Sequence, residues 1–220
     1  MRSGRNAFIF DLDGVIVDTA KYHYLAWKKL ADRLGIFFDE IENEKFKGVS
    51  RQKSLELLLQ SGGVSASESD FIQWMHEKNE DYLNLIQDMT EDEILVDVKK
   101  VLDHLKVRDQ GVALGSASKN ATLILDRVGL TPYFEVIIDG NKVSKAKPDP
   151  EVFIKAASGL NVSPEYSVVF EDAIAGVEAA NRAGMYSIGV GDTETLQHAK
   201  HVFKDFTELT LPFLDQLIDR

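Results

Sequence analysis

Two aspartates lie close together near the start of the chain, directly after an apolar run. Asp11 and Asp13 belong to the segment Asp-Leu-Asp-Gly, which follows Ala-Phe-Ile-Phe at residues 7–10. An apolar run that ends in acid and glycine is typical of a buried strand that leads into a loop. A carboxylate placed there can carry a phosphoryl group covalently. The second carboxylate, which faces the opposite side, can exchange protons with a leaving or attacking oxygen.

Three further segments carry groups suited to the same chemistry. They are Ser-Ala-Ser-Lys-Asn at residues 116–120, Lys147, and the pair Glu171 and Asp172. Hydroxyl, amide and ammonium groups are the donors that a transferring phosphoryl group needs, and clustered carboxylates suit Mg²⁺. Because the carboxyl ends of parallel strands meet at one edge of a sheet, we expect these segments to meet around Asp11. The sequence therefore predicts magnesium-dependent phosphoryl transfer, with Ser116, the Ala117 amide and Lys147 as donors.

Each segment also has an ordinary structural explanation when it is taken alone. Asp-x-Asp-Gly is common in solvated turns, and Glu171-Asp172 suits the start of a helix. Residues 116–120 suit a helix N-cap, and a lysine before Pro148 suits an extended surface turn. The functional interpretation depends on finding all four segments at the ends of different elements of one fold.

The predicted elements hold these loops on a single sheet. Beyond the first strand, apolar strands are predicted at residues 112–115, 136–138, 167–170 and 187–190, alternating with helices at 98–107, 120–128, 150–157, 174–183 and 207–218. Strands that alternate with helices indicate an α/β fold, in which helices cover both faces of a doubly wound parallel sheet with a Rossmann-like core.

Residues 19–89 interrupt this alternation with helical patterns alone. Apolar residues recur at helical spacing from Thr19 to Leu34, and Gly35 follows as a C-cap. Further helices are predicted at residues 54–60 and after a capping box formed by Ser65 and Glu68. We therefore predict a catalytic core made of residues 1–18 and 90–220, with residues 19–89 inserted after the first strand as a helical cap domain.

Composition and charge limit the partners. The 220 residues carry 25 basic and 36 acidic side chains, and the net charge of -11 disfavours nucleic acid and anionic membranes. The chain has no cysteine, so disulfides and thiolate metal sites are excluded. The apolar run before Asp11 is too short for a signal sequence or a membrane span. We expect a cytoplasmic monomer that binds a small molecule.

Taken together, Asp11-x-Asp13, Ser116, Lys147 and Glu171-Asp172 resemble the four motifs of the haloacid dehalogenase-like hydrolases, over the entire chain. The resemblance implies that Asp11 is the phosphorylated nucleophile and Asp13 the general acid and base. It also implies a Mg²⁺ ion held by Asp11, the Asp13 backbone carbonyl, Glu171 and Asp172. Ser116, Ala117 and Lys147 would bind the transferring phosphate.

Other segments resemble one branch of this family, the sugar phosphomutases. They include Lys47-Gly48-Val49-Ser50-Arg51, Lys78-Asn79 and residues 116–120. The resemblance implies interconversion of β-glucose 1-phosphate and glucose 6-phosphate through an aspartyl phosphate and β-glucose 1,6-bisphosphate. The second phosphate of that intermediate would be bound by Arg51, Ser118, Lys119 and Asn120. Thr19 would orient Asp13, and the cap side of the sugar pocket would be lined by His23, Gly48, Val49, Ser54 and Lys78.

Two other functions remain open from the sequence. A sugar-phosphate phosphatase of the same family would share every core motif and would release the phosphate to water instead of a sugar hydroxyl. A phosphate-dependent receiver or binding module would also have acids and a lysine on a doubly wound sheet. The long helical insertion argues against the receiver, and Arg51 with residues 118–120 favours the phosphomutase over the phosphatase.

Overall fold

The computed structural model describes residues 5–220, whose strands form one six-stranded sheet. In spatial order the strands are β3 (Val136–Ile138), β2 (Gly111–Gly115), β1 (Ala7–Phe10), β4 (Ser167–Glu171), β5 (Tyr186–Val190) and β6 (His201–Phe203). Every pair of neighbours in this part of the chain is parallel. Chain order runs outward from β1 on one side and from β4 on the other, so the strand order reverses between them. Such a reversal opens a crevice at the carboxyl ends of the strands.

The helices divide into those between the strands and those before residue 90. The first group comprises α5 (Val98–Val107), α6 (Ala121–Arg127), α7 (Glu151–Gly159), α8 (Ile174–Arg182) and α9 (Leu211–Ile218). The second comprises α1 (Ala20–Leu34), α2 (Glu40–Glu44), α3 (Arg51–Gly62) and α4 (Glu68–Leu85). Within the described residues, none of these helices is long and apolar enough to cross a membrane.

The central strand is apolar throughout because it is covered on both faces. Phe8 and Phe10 enter one core cluster with side chains of α5, α6 and α9, while Ala7 and Ile9 enter another with α7 and α8. All four residues are fully buried, and the Phe10 ring stacks on Phe170 of β4 with 4.6 Å between centroids. Burying one phenylalanine side chain stabilises a fold by roughly 1.5–3 kcal/mol. The strand that leads to Asp11 is therefore fixed by packing from both sides.

The helices before residue 90 have an apolar cluster of their own. Trp27 and Leu30 of α1 pack there with Phe38 and with Leu55 and Leu58 of α3. The structure describes no strand between residues 19 and 89, as the sequence predicted. This separate cluster supports the predicted cap, although the proposed boundaries at 18/19 and 89/90 stay a prediction.

The two chain crossings between the cap and the sheet lie side by side. The Asp18 amide donates to the Glu93 carbonyl at 2.9 Å, and the Leu95 amide donates to the Ile16 carbonyl at 3.0 Å. Tyr22 adds a side-chain hydrogen bond from its hydroxyl to Glu93 Oε1 at 2.6 Å. The two chain crossings thus form one narrow, hydrogen-bonded junction between the cap and the sheet.

Most predicted elements agree with the structure. The strand at residues 136–138 and the helix at 98–107 have the predicted bounds, and the other predicted strands and core helices before residue 190 differ by two residues or fewer at each end. Gly35 ends α1 in a left-handed conformation with φ of 68°. That conformation costs glycine little, because it has no Cβ atom.

Several predicted helix bounds are wrong. The helix predicted at residues 54–60 begins at Arg51 and ends at Gly62, since the Ser50 side chain caps its first turn by accepting from the Lys53 amide at 3.3 Å. The capping box before α4 is formed by Ser67 and Asp70, not by Ser65 and Glu68. The final helix begins at Leu211, four residues later than its predicted start at 207.

One short strand and one short α-helix were not predicted. Strand β6 pairs with β5 at the edge of the sheet, with Val202 opposite Gly189. Helix α2 has only five residues and is capped by Asp39, whose side chain accepts from the Glu42 amide at 2.9 Å. Neither element is long enough to show a period in its apolar residues.

Candidate active site

The predicted site residues meet in one cleft at the carboxyl ends of the strands, between the sheet and the cap. Asp11 follows β1, and its amide donates to the Phe170 carbonyl at 3.0 Å, which fixes the start of the loop against β4. The cleft has a volume of about 1650 Å³. Its lining includes every predicted site residue except Glu171, whose side chain is buried beneath it: Asp11, Asp13, Thr19, His23, Gly48, Val49, Arg51, Ser54, Lys78, Ser116, Ala117, Ser118, Lys119, Asn120, Lys147 and Asp172.

Lys147 links two buried carboxylates at the floor of the cleft. Its Nζ donates to Asp11 Oδ1 at 2.7 Å and also to Glu171 Oε1. Burial disfavours the charged lysine, but the two carboxylates outweigh that effect and raise the pKa of Lys147 above its ordinary value. The ammonium group is therefore retained as a fixed positive charge beside Asp11.

The same floor carries more negative than positive charge. Asp11, Glu171 and Asp172 offer oxygen atoms that all lie within 4.8 Å of one another, and Lys147 is the one cation bonded among them in the described residues. Burial, only partly offset by Lys147, raises the pKa of Asp11 to about 7. Burial and the neighbouring Glu171 and Asp11 also raise the pKa of Asp172 well above its ordinary value. A further cation at this floor would relieve the imbalance.

The oxygen donors at the floor fit a hard divalent cation. Glu171 has a donor on each oxygen, because Lys147 bonds to Oε1 and the Ala173 amide donates to Oε2 at 3.0 Å. The carboxylate of Asp172 accepts no hydrogen bond from residues 5–220 and is free to bind a ligand. Carboxylate oxygens at this separation are the donor set that Mg²⁺ prefers in proteins.

Two glycines keep these carboxylates in place. A Cβ atom on Gly176 would lie 1.9 Å from the Glu171 carboxyl carbon, and one on Gly14 would lie 2.2 Å from Asp172 Oδ2. Gly14 also has a φ of 77°, which side chains rarely adopt. No larger residue fits at either position without displacing an acid of the candidate metal site.

Asp13 is held by polar groups from the start of the cap. The Thr19 hydroxyl donates to Asp13 Oδ1, and His23 Nε2 lies 3.7 Å from the same oxygen. Burial would raise the pKa of Asp13, but the nearby imidazole of His23 and the hydrogen bond from Thr19 outweigh it and lower the pKa. Since both contacts are to Oδ1, the other carboxylate oxygen remains available to a substrate.

Lys78 of α4 is buried in the cap beside this network. Its Nζ lies 3.1 Å from His23 Nδ1 and sits 4.7 Å from the ring centroids of both Trp27 and Tyr82. Burial and the nearby charge of Arg51 lower the pKa of Lys78 to about 7. Burial and the charge of Lys78 likewise lower the pKa of His23. The aromatic faces replace part of the hydration that the ammonium group loses.

Replacing Lys78 with methionine is expected to flatten a rise of stability with pH. The pKa of Lys78 is about 7 in the folded protein and 10.5 for an ordinary lysine, so the unfolded chain binds more protons between these values. The Lys78 contribution to the free energy of unfolding therefore rises with pH across that window, and Lys78→Met removes it. Urea unfolding curves recorded between about pH 7 and 9.5 measure the difference.

The control for this prediction is Lys53→Met, which alters an exposed lysine of the same cap. We expect the pH dependence of the Lys53→Met protein to match that of the wild type. Equal slopes for the wild type and Lys78→Met would contradict the assigned burial of the ammonium group.

The loop after β2 presents a row of polar groups to the cleft. Ser116 is fully buried, and its Oγ accepts from the Ser118 amide at 3.1 Å. The Ser118 Oγ accepts from the Asn120 amide at 3.2 Å, so the loop is tightly curled. Asn120 Nδ2 donates to Asn79 Oδ1 of α4 at 3.0 Å, which joins this loop to the cap.

The cap contributes a positive charge without an acidic partner. Arg51 makes no ion pair or hydrogen bond with any residue the structure describes, and burial lowers the pKa of its guanidinium. It is the first residue of α3, where exposed amides and the helix dipole also favour an anion. Ser54, one turn later, directs its hydroxyl to the Ser50 carbonyl at 3.2 Å.

The cap and the sheet approach closely at Gly48. A Cβ atom on Gly48 would lie 2.6 Å from the Cβ of Ala173, and the backbone φ at Gly48 is 70°. Ala173 follows Glu171 and Asp172 directly, so the cap covers the candidate metal site from above. This close approach is to the core, and the place of Gly48 beside a sugar stays a prediction.

Two polar residues of this region were not among the predicted site residues. Tyr82 and Asn79 lie on α4 beside Lys78, Tyr82 against the ring of His23 and Asn79 against Asn120. The spacing of Lys78 and Tyr82 by four residues places them on the same face of a helix. Lys78 was predicted from the resemblance, whereas Tyr82 was assigned no role in the site.

The fold and the arrangement of the floor define the class of protein. The profile of the haloacid dehalogenase-like hydrolases matches residues 6–184, and the chain belongs to this family. Over 212 residues it is 42% identical to a β-phosphoglucomutase of Bacillus subtilis, which covers 96% of this chain and 94% of the relative.

Other relatives include both mutases and phosphatases. A crystal structure of β-phosphoglucomutase from Clostridium difficile superposes with a TM-score of 0.93 at 41% identity, covering 98% of this chain and 97% of that one. A phosphorylated carbohydrates phosphatase of Thermotoga maritima is 32% identical and covers 83% of each chain. Both kinds of relative carry names that refer to phosphorylated carbohydrates.

Proposed function

We propose that this protein is a β-phosphoglucomutase, which interconverts β-glucose 1-phosphate and glucose 6-phosphate through an aspartyl phosphate and β-glucose 1,6-bisphosphate. The observation that carries the proposal is the unpaired Arg51, which lines the same cleft as Asp11. A guanidinium with no acidic partner in a cleft suits bidentate capture of a phosphate. Similarity to relatives named β-phosphoglucomutase supports the same reaction.

The first half of the proposed reaction phosphorylates Asp11. A carboxylate oxygen of Asp11 attacks the phosphorus of the bisphosphate, and the bond between phosphorus and the sugar oxygen breaks. Asp13 gives a proton to that oxygen as it leaves. Lys147, Ser116 and the Ala117 amide bind the transferring phosphoryl oxygens, and their charge and hydrogen bonds stabilise the transition state.

The second half returns the phosphoryl group to the other end of a sugar. A hydroxyl of the bound sugar monophosphate attacks the aspartyl phosphate and gives its proton to Asp13. The bond to Asp11 breaks, and the carboxylate is regenerated. Transfer to the sugar instead of water requires that the cap exclude solvent while the sugar is bound.

A divalent cation fits the floor of the cleft. We propose that Mg²⁺ binds Asp11, the backbone carbonyl of Asp13, Glu171 and Asp172, a set of hard oxygen donors with excess negative charge. When bound, such an ion reduces the repulsion between a carboxylate nucleophile and an anionic phosphate. Because Glu171 already has a donor on each oxygen, Asp172 is more available to the ion than Glu171.

The second phosphate of the intermediate would bind between the cap and the β2 loop. Arg51 at the start of α3, together with Ser118, Lys119 and Asn120, would hold it. His23, Gly48, Val49, Ser54 and Lys78 would line the cap side of the sugar pocket, and Thr19 would orient Asp13. A monomeric state and a cytoplasmic location stay predictions from the sequence.

The function is tested by following both sugar phosphates together. Purified protein is incubated with Mg²⁺, β-glucose 1-phosphate and a trace of the bisphosphate, and the products are measured by phosphorus NMR. We expect glucose 6-phosphate to accumulate with little inorganic phosphate. Inorganic phosphate as the main product would instead support a sugar-phosphate phosphatase, the activity indicated by the name of the Thermotoga maritima relative.

Removing the Arg51 side chain is expected to weaken binding of the bisphosphate. Arg51→Ala eliminates a charge-assisted contact worth about 1.5–3 kcal/mol, so the KM for bisphosphate should rise roughly 10-fold or more. Steady-state kinetics at saturating β-glucose 1-phosphate measure this KM. Arg33→Ala is the control, because Arg33 belongs to the same cap but pairs with Glu77 outside the cleft. An unchanged KM in Arg51→Ala would refute the second phosphate pocket.

A further inference from the structure

Tyr82 of α4 carries a buried hydroxyl with no hydrogen-bond partner. The residue is 1% exposed, and its oxygen makes no aligned hydrogen bond with any described group. Buried hydroxyls are nearly always hydrogen-bonded, because leaving one unpaired costs the hydration it had in the unfolded chain. A phenylalanine at this position would avoid that cost. The hydroxyl therefore requires an explanation other than packing.

The aromatic ring of Tyr82 is fixed independently of its hydroxyl. It stacks on the His23 ring with 4.2 Å between centroids and an interplanar angle of 28°. Lys78 Nζ lies 4.7 Å from its centroid. Both contacts use the face of the ring, so they persist in a phenylalanine variant. The packing of the ring therefore fixes the position of the oxygen, and the oxygen is not needed to hold the ring.

The Tyr82 ring lies beside the groups that hold Asp13, because His23, on which it stacks, has its Nε2 3.7 Å from Asp13 Oδ1. The Thr19 hydroxyl and the Asp13 carboxylate both influence the pKa of Tyr82, although neither is aligned for a hydrogen bond to it. Burial and the charge of Asp13 raise that pKa well above its ordinary value, so the phenol remains protonated. A protonated phenol is a hydrogen-bond donor. Thr19 already donates to Asp13 Oδ1, and its oxygen still has lone pairs that can accept.

We propose that Tyr82 is a positioning residue whose hydroxyl donates to Thr19 Oγ1 when a sugar phosphate occupies the cleft. Thr19 then donates to Asp13 Oδ1, and the chain of two hydrogen bonds holds the carboxylate with its other oxygen toward the sugar. Hydrogen bonds in series strengthen one another, because a hydroxyl that accepts one becomes a better donor. This inference rests on the proposed function, in which Asp13 exchanges protons with the sugar.

Tyr82→Phe tests the proposal, because it removes only the hydroxyl. We expect kcat for glucose 6-phosphate formation to fall about 10-fold, the effect of one ordinary hydrogen bond, with KM changing less than about 2-fold. The thermal midpoint should equal or exceed that of the wild type, since an unpaired buried hydroxyl is lost. Tyr133→Phe is the control, because its hydroxyl bonds to Asp103 outside the cleft.

A double-mutant cycle with Thr19→Val identifies the route of the effect. If Tyr82 acts through Thr19, adding Tyr82→Phe to Thr19→Val lowers kcat no further. Multiplicative losses in the double variant would overturn the proposal. Two results for Tyr82→Phe alone would also overturn it. An unchanged kcat with a raised thermal midpoint would show that the hydroxyl is only a packing defect. A rise in KM as large as the fall in kcat would show that the hydroxyl contacts the sugar.

The same experiment separates this inference from the proposed function. The product formed by the wild-type protein decides between mutase and phosphatase. If the wild type releases only inorganic phosphate, the mutase proposal fails, but the departing sugar oxygen still needs a proton from Asp13. The ratio of Tyr82→Phe to wild-type rates of sugar release then tests the hydrogen-bond chain alone.

Discussion

The Asp11→Asn protein is expected to form no phosphoenzyme and to lose all detectable mutase activity. An amide is a far weaker nucleophile than a carboxylate, and the asparagine side chain is close to the same size. Lys147 Nζ lies 2.7 Å from Asp11 Oδ1 and can still bond to the amide oxygen, so the floor of the cleft should remain folded. The loss therefore reports the chemistry of one oxygen and not a collapse of the site.

Two measurements distinguish these effects for Asp11→Asn. Incubation with the bisphosphate, followed by acid quench and mass spectrometry, detects the aspartyl phosphate. Thermal unfolding shows whether the protein is still folded. Asp88→Asn is a matched control, since Asp88 is exposed and lies outside the cleft. A phosphorylated Asp11→Asn protein would show that another residue carries the phosphate.

The second large effect is expected for Asp13→Ala, which should slow phosphoryl transfer to the sugar by roughly 10²–10⁴-fold. Removing the carboxylate leaves the attacking hydroxyl without a base and the departing sugar oxygen without an acid. Thr19, which donates to Asp13 Oδ1, cannot replace the carboxylate because its hydroxyl faces the deleted group and not the sugar.

A donor that needs no proton separates the roles of the two aspartates. p-Nitrophenyl phosphate has a stable phenolate leaving group, so Asp13→Ala should still be phosphorylated by it while Asp11→Asn should not. The phosphorylated Asp13→Ala protein should then transfer its phosphate to glucose 1-phosphate slowly. If both variants fail equally with this donor, Asp13 acts in forming the site instead of moving protons.

The location of the candidate site was predictable from the sequence because strand ends determine it. Asp11, Ser116 and Glu171 each follow or end an apolar run, and β1, β2 and β4 are adjacent in the sheet. Parallel strands place their carboxyl ends at one edge, so three segments far apart in sequence had to converge. The continuous apolar runs of β1, β2 and β4, which are fully buried, also made these strands recognisable in the sequence.

Competing local signals explain the wrong helix starts. Ser65 and Ser67 are each followed by an acid three residues later, so the capping-box pattern occurs twice in six residues. Only the observed hydrogen bonds show that Ser67 and Asp70 form it. The last helix was started too early because Thr207 resembles an N-cap, whereas its hydroxyl is bonded to Asp205 within a turn.

Contacts between the cap and the core could not be predicted from the sequence for a different reason. The hydrogen bond between Asn79 and Asn120 and the approach of Gly48 to Ala173 join the cap to the core. Such pairs depend on the angle between two separately packed units, and no periodicity encodes that angle. Tyr82 was missed for another reason, since its place beside His23 follows from how α4 packs on α1 within the cap.

The narrow junction has a consequence for how this protein can change. Because both crossings lie side by side, at Asp18 with Glu93 and at Ile16 with Leu95, the inserted segment leaves the core and returns to it at almost the same point. A foreign helical segment with a similar distance between its ends should therefore be graftable there without disturbing β1 or Asp11, provided that it keeps the Thr19 and His23 groups that hold Asp13. Substrate preference could then be changed by exchanging the whole inserted segment, while the residues of the sheet that bind the transferring phosphate stay the same.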